Sequence, residues 1–198
     1  MSRGLLFVMS GPSGAGKGTI CEELLKREDL FLSISSTTRE KRKGETDGVT
    51  YNYVTASEFE SMISNGEMLE YAMYGGNYYG TPKKTVEEML EAGKNVLLEI
   101  EPQGALKVKN KMSEANLIFI VPPSMAELKK RLIERGRETE EQIKERLETS
   151  RWEFKQSEKY DYIVVNDDLE RCVGEVCAIV HERAEKRSFI DKLLNEEY

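Results

Sequence analysis

Nine residues near the N-terminus, Gly11-Pro12-Ser13-Gly14-Ala15-Gly16-Lys17-Gly18-Thr19, have the types and spacing to hold phosphate. Glycines at 11, 14 and 16 permit positive φ and a close backbone approach, so successive N–H groups can converge on one oxyanion. Lys17 adds a full positive charge. The segment from Lys17 to Arg27 predicts a helix whose N-terminus favours anions. The pattern G-x-x-x-x-G-K-[ST] breaks at its last position, where Gly18 replaces a metal-binding hydroxyl and Thr19 comes one residue late. ATPases, GTPases and small-molecule kinases all use such a cradle, so it leaves the substrate open.

A second run, Ser35-Ser36-Thr37-Thr38-Arg39-Glu40-Lys41-Arg42, sets two guanidinium groups three residues apart beside several hydroxyls. Arginine pairs phosphate oxygens in bidentate fashion, which makes this a candidate second phosphate site; a solvated, charged turn accounts for the run equally well. Glu70, in Met68-Leu69-Glu70-Tyr71, is either a buried carboxylate that needs partners or an exposed strand end. Arg131, Arg135, Arg137 and Arg146 surround the break at Gly136. That stretch reads as a mobile flap or as a surface network of ion pairs with Glu134, Glu138 and Glu141. The single histidine, His181, has no partner motif and is expected to be structural or at the surface.

The elements that must position these groups follow from hydrophobic patterning. The runs Leu5 to Met9, Val96 to Ile100, Leu117 to Val121 and Tyr162 to Val165 are continuous, as strands buried on both faces of a parallel sheet should be. Helix starts are signalled at Ser57/Glu60, Ser124/Glu127 and Thr139/Gln142 by capping-box spacing. From Asp168 to Asn195, apolar residues at helical spacing predict a long final helix that Gly174 bends. Residues 33–81, rich in Thr, Tyr and Gly with strands near Ser33 to Ser36 and Tyr51 to Val54, read as an inserted β-rich unit.

Composition sets outer bounds. The 198 residues suit one globular domain with inserted subdomains, and a net charge of −7 argues against a nucleic-acid or anionic-membrane binder. Cys21, Cys172 and Cys177 form neither a disulfide framework nor a zinc motif and are expected to be buried, reduced thiols. No apolar run approaches the roughly 20 residues needed to span a bilayer, and no signal peptide is recognisable, so a cytoplasmic location is expected.

Taken in order, these motifs resemble guanylate kinases over nearly the whole chain: GPSGAGKGT at 11–19, SSTTREKRKGE at 35–45, Tyr51-Asn52-Tyr53, Glu70 and GNYYGT at 76–81. The match continues through Glu99, Gln103-Gly104, Val121-Pro122-Pro123-Ser124, RGRETEEQIKERL at 135–147 and VVNDDL at 164–169. The resemblance implies a P-loop α/β/α core with a mainly parallel sheet (1–32, 82–123 and 155–198), a GMP-binding subdomain (33–81) and a helical lid (124–154). It implies transfer of the γ-phosphoryl group of MgATP to GMP, and to dGMP.

By the same resemblance, residues 11–19 and Asn166 would bind ATP, although Asn166 and Asp168 would equally cap the final helix. Arg39, Arg42, Tyr51 and Tyr79 would hold the GMP phosphate, Glu70 would accept from guanine N1–H and N2–H₂, Ser35 and Thr81 would meet O6, and Glu99 would lie nearby. Lys17, Arg39, Arg42, Arg135 and Arg146 would share the charge of transfer, with Arg131 a further candidate and Arg137 given no role. Mg²⁺ would be held mainly by ATP oxygens and water, with Thr19 or Glu101 close by. No protein ligand to it is assigned, and Glu101 stands where the family commonly has Asp. Two rivals remain: a protein-interaction module derived from this family, and a kinase for another base.

Overall fold

The computed structural model describes residues 2–136 and 139–194, with side chains described as far as 186. Arg137 and Glu138 lie outside these residues. The central sheet has the order β2-β7-β1-β8-β9, with every neighbouring pair parallel. Its strands are β1 (Leu6–Ser10), β2 (Leu30–Leu32), β7 (Asn95–Glu99), β8 (Asn116–Val121) and β9 (Tyr162–Val165). Successive strand side chains point to opposite faces, so the sheet sorts its own residues into two cores. Phe7, Met9, Leu97, Ile118 and Ile120 face α1 (Lys17–Arg27) and α7 (Leu169–Leu194). Leu6, Val8, Val96, Leu98 and Leu117 face α3 (Lys83–Glu91) and α4 (Pro102–Lys111). The result is the expected three-layer α/β/α core.

A second sheet, in the order β4-β3-β6-β5, is built from β3 (Ser36–Thr37), β4 (Asn52–Tyr53), β5 (Met68–Tyr74) and β6 (Asn77–Pro82). The β5–β6 hairpin turns at Gly75 and Gly76, both at positive φ. A third small core of Leu128, Leu132 and Ile143 joins α5 (Met125–Glu134) to α6 (Glu140–Gln156).

Three local readings change. Helix α2 (Ala56–Ser64) starts two residues before the expected Ser57/Glu60 signal, because Thr55 and Glu58 fit the same spacing and close a full capping box. At α5 the box is half made: Ser124 accepts from the Glu127 N–H, but the Glu127 carboxylate pairs with Arg131. β9 is an edge strand, with Ile163 51% and Val165 39% exposed, so its apolar run is not buried on both faces. Helix α7 runs uninterrupted through Gly174.

The three thiols are free, Cys21 and Cys172 buried and Cys177 half-buried. His181 is exposed on α7, with its Nε2 2.9 Å from the Glu28 carboxylate.

Candidate active site

The glycine loop leaves the C-terminal end of β1 and enters α1 with Gly16 as the N-cap, its φ of 92° lying in the left-handed region. A side chain there would collide with Asn166, whose Nδ2 lies 2.4 Å from where a Cβ would be. At Gly11 a Cβ would come within 2.2 Å of the Ile120 carbonyl oxygen. Both glycines are therefore demanded by close approach as well as by φ. Lys17, almost fully buried, folds back so that Nζ donates to the Gly11 and Pro12 carbonyls, the latter at 3.3 Å. Gly18 and Thr19 are exposed at the start of α1.

Asn166, just beyond β9, is buried and holds the loop from behind: its Nδ2 donates to the Ala15 carbonyl at 2.7 Å. Its own carbonyl accepts from Arg131 Nη2 at 2.9 Å, and Arg131 Nε donates to Glu127 at 3.0 Å. A chain of hydrogen bonds thus runs from α5 through Asn166 to the loop. Asp168 caps α7, accepting from the Arg171 N–H at 2.9 Å.

A cleft of about 290 Å³ separates this loop from the second sheet. Of the residues expected to form the site, Ser13, Lys17, Ser35, Arg39, Arg42, Tyr51, Glu70, Tyr79, Glu99 and Arg146 line it. Arg39 is clamped by Glu45 in a bidentate pair of 3.0 and 2.8 Å. Glu45 also accepts from the Tyr53 hydroxyl at 2.8 Å and the Arg42 N–H at 2.7 Å, and these donors hold its carboxyl down at about 2. The Arg39 guanidinium lies 5.6 Å from the Tyr51 ring centre, and Tyr51 packs edge-on against Tyr79. Burial, with Glu99 nearby, pushes the Tyr51 hydroxyl up to about 12, so it stays a donor near neutral pH.

Glu70 is buried in the opposite corner, and desolvation raises its carboxyl above the ordinary value. The Thr81 hydroxyl, fully buried, donates to Oε1 at 2.9 Å, so Thr81 stands behind Glu70 and does not line the cleft. Glu99 is likewise raised by desolvation, with Lys17 acting in the opposite sense.

From α6, Arg146 reaches across the cleft mouth. Its Nη1 donates to Ser13 Oγ at 2.9 Å and its guanidinium lies 5.8 Å from the Tyr74 ring centre on β5. Arg146 thus touches both walls of the cleft. Arg135, at the C-cap of α5, is exposed and does not line the cleft.

Three residues were missed by reading the sequence. Ser33 lines the cleft with a buried hydroxyl that has no hydrogen-bond partner among the described residues. Glu45 is the group that orients Arg39. Glu153 on α6 is buried, and burial with nearby Glu101 pushes its carboxyl up to about 7, against the pull of Lys17 and Arg146. The last was detectable: Glu153 follows Arg146 by seven residues, two turns along the same helix face.

A parallel sheet that ends in a glycine loop with a buried lysine, facing an arginine–tyrosine cluster across one cleft, defines an α/β phosphotransferase. Comparison with known proteins narrows the class. The guanylate kinase family model matches residues 3–183. A guanylate kinase from Clostridium perfringens (strain 13 / Type A) is 54% identical over 180 residues, covering 90% of this chain and 83% of that protein. One from Oceanobacillus iheyensis is 50% identical over 191 residues, covering 96% and 93%. The crystal structure of guanylate kinase from Anaplasma phagocytophilum superposes with a TM-score of 0.78 at 36% identity, covering 92% of this chain and 87% of that one. The chain belongs to the guanylate kinase family.

Proposed function

We propose that this protein transfers the γ-phosphoryl group of ATP, carried as its Mg²⁺ complex, to GMP and dGMP, giving ADP and GDP or dGDP for guanine nucleotide metabolism. The observation that carries the choice of base is Glu70. It is a carboxylate with one oxygen held by Thr81, buried in the cleft wall opposite the phosphate loop. Guanine offers N1–H and N2–H₂ as donors to such an acceptor, whereas adenine offers an N1 lone pair and no amine, leaving buried groups unpaired. Ser35 is assigned to O6, Thr81 acts on the base through the Glu70 carboxylate it holds, and Glu99 is assigned to the guanine edge of the cleft.

The acceptor phosphate would sit between Arg39, Arg42 and the Tyr51 and Tyr79 hydroxyls. The N–H groups of the loop from Gly11 to Thr19, Pro12 excepted, and the Lys17 ammonium would hold the outer phosphates of ATP. An oxygen of the GMP phosphate attacks the γ-phosphorus, the bond from γ-phosphorus to the bridging oxygen breaks, and ADP leaves. The acceptor is already anionic near neutral pH, so alignment and charge neutralisation suffice without a general base. Arg146, already bridging the cleft, and Arg135, approaching from α5, would add charge to the transferring group. Asn166 would act on ATP through the loop it holds.

Among the described residues no group of three or more His, Cys, Asp or Glu could cage a metal, and Gly18 offers no hydroxyl. The donor set fits an ion that arrives on the nucleotide, with Thr19 and Glu101 at hand for its water shell. When bound, Mg²⁺ neutralises charge on the β- and γ-oxygens.

The division into core (1–32, 82–123, 155–198), GMP-binding unit (33–81) and lid (124–154) belongs to the same proposal. So does a cytoplasmic setting without nucleic-acid or membrane partners; among the described residues no helix is long and apolar enough to cross a membrane. A coupled ADP-release assay across GMP, dGMP, AMP, CMP and UMP tests the assignment. Turnover concentrated on GMP and dGMP is expected, and preference for any other base overturns it.

A further inference from the structure

Helix α4 carries a buried glycine in its first turn, Gly104, where the backbone does not ask for one. Its φ is not positive, so alanine would fit the backbone and would be the better helix former. The reason for the glycine lies across the lobe boundary. A Cβ at 104 would stand 2.5 Å from Glu70 Oε2 and 3.0 Å from its Cδ, and 3.4 Å from Ile100 Cδ1. Carbon and its neighbours are comfortable at roughly 3.5–4.0 Å, so the carboxylate would have to retreat by about 1 Å.

The main chain around Glu70 yields less readily than the side chain. Lys107 Nζ donates to the Tyr71 carbonyl and Lys111 Nζ to the Leu69 carbonyl, pinning β5 to α4 on both sides of the residue. The side chain must move, and its Thr81 hydrogen bond at 2.9 Å must move with it.

We propose that Gly104 is a specificity-determining residue, whose missing side chain sets the depth at which the Glu70 carboxylate meets the base. This rests on the reading of Glu70 as the group that accepts from guanine. The outer donor, the 2-amino group, is the one most sensitive to depth, which makes IMP, a nucleotide lacking that amine, the discriminating probe.

The experiment compares the parent with Gly104→Ala, Glu70→Ala and the double variant. Gly174→Ala serves as control, at a helical glycine where an added Cβ would meet nothing within 4 Å. Steady-state constants are measured for GMP and IMP, and thermal midpoints for every protein. Gly104→Ala is expected to unfold close to the parent's temperature, the better helix former offsetting part of the cost of moving Glu70, while its GMP-over-IMP preference in kcat/KM shrinks at least tenfold. The loss should appear mainly in KM for GMP, and adding Gly104→Ala to Glu70→Ala should change nothing further. Gly174→Ala should keep the parent's preference.

If Glu70→Ala loses the preference and Gly104→Ala keeps it, the inference about Gly104 is wrong while the base reading stands. If Glu70→Ala itself keeps it, the base reading falls and takes this one with it. A Gly104→Ala midpoint several degrees below the parent's would make the glycine a packing requirement and overturn the proposal.

Discussion

The two walls of the cleft are made of different material. On the core side, the anion site is backbone: a loop whose glycines are fixed by the Ile120 carbonyl and by Asn166, with one lysine folded onto it. On the other side it is almost wholly side chain: Arg39 held by Glu45, Tyr51 packed edge-on between Tyr53 and Tyr79, Glu70 held by Thr81. Backbone N–H groups recognise charge and little else, so the first wall is generic. Side chains can be matched to one donor and acceptor pattern, so in the proposed reading the second wall carries the choice of acceptor. Substitutions that act on a single wall should therefore separate rate from selectivity.

The largest effect is expected at Lys17, the charged residue of the glycine loop itself. Lys17→Ala should lower kcat by about 10²–10³-fold, as loss of a preorganised group aimed at developing charge commonly does, and leave KM for GMP within about threefold. Steady-state kinetics decide it: a kcat equal to the parent's would remove the lysine from the transfer step. Glu70→Gln acts on the other wall. It keeps the shape and loses the charge, and should raise KM for GMP by about 10–100-fold, in line with roughly 1.5–3 kcal/mol for hydrogen bonds to an ionised group. Its kcat with saturating GMP should stay near the parent's. A large fall in kcat with unchanged KM would blur the division between the walls.

The sequence conveyed these walls unequally. The loop was legible because strand, glycines, lysine and helix are contiguous, and α1 runs over Lys17–Arg27 as its pattern predicts. The core strands were legible for the same reason, apolar runs being local. The short β2 and the β5–β6 hairpin were not read as strands; β5 mixes Glu70 and Tyr71 with apolar residues, because it is half wall and half packing surface. Contacts between distant segments were hidden altogether. No local signal links Asn166 to Ala15, 151 positions apart, or Gly104 to Glu70. The resemblance to a family supplied positions, whereas the geometry supplied partners: Thr81 turns to Glu70, Asn166 to the loop, and Arg131 to Asn166.

The contact of Asn166 with the loop sharpens the comparison, since it makes the generic wall depend on one side chain behind it. Asn166→Leu removes the donor to Ala15 and leaves a buried carbonyl unpaired, a change of about 1–3 kcal/mol. KM for ATP should rise about tenfold while KM for GMP stays within twofold, and the thermal midpoint should fall by several degrees. Equal rises in both KM values would mean that Asn166 supports the whole cleft and not the loop alone.

The smallest effect is expected at Glu45 and is best seen against pH. Its carboxyl is held at about 2, below its ordinary value of 4.5, chiefly by the paired Arg39 guanidinium. A carboxyl lowered on folding favours the native state wherever it is ionised, so its contribution is complete above about 4.5 and disappears as pH falls toward 2. Glu45→Gln lacks this contribution throughout. The parent's midpoint should accordingly lie a few degrees above the variant's at pH 6, and the two should converge on acidification to pH 2. Parallel curves across that window would show that the pair adds no stability. A few-fold rise in KM for GMP in the variant at pH 7, without a change in KM for ATP, would still identify Glu45 as the group that aims Arg39. That outcome would place the acceptor wall's precision in a residue that touches neither substrate.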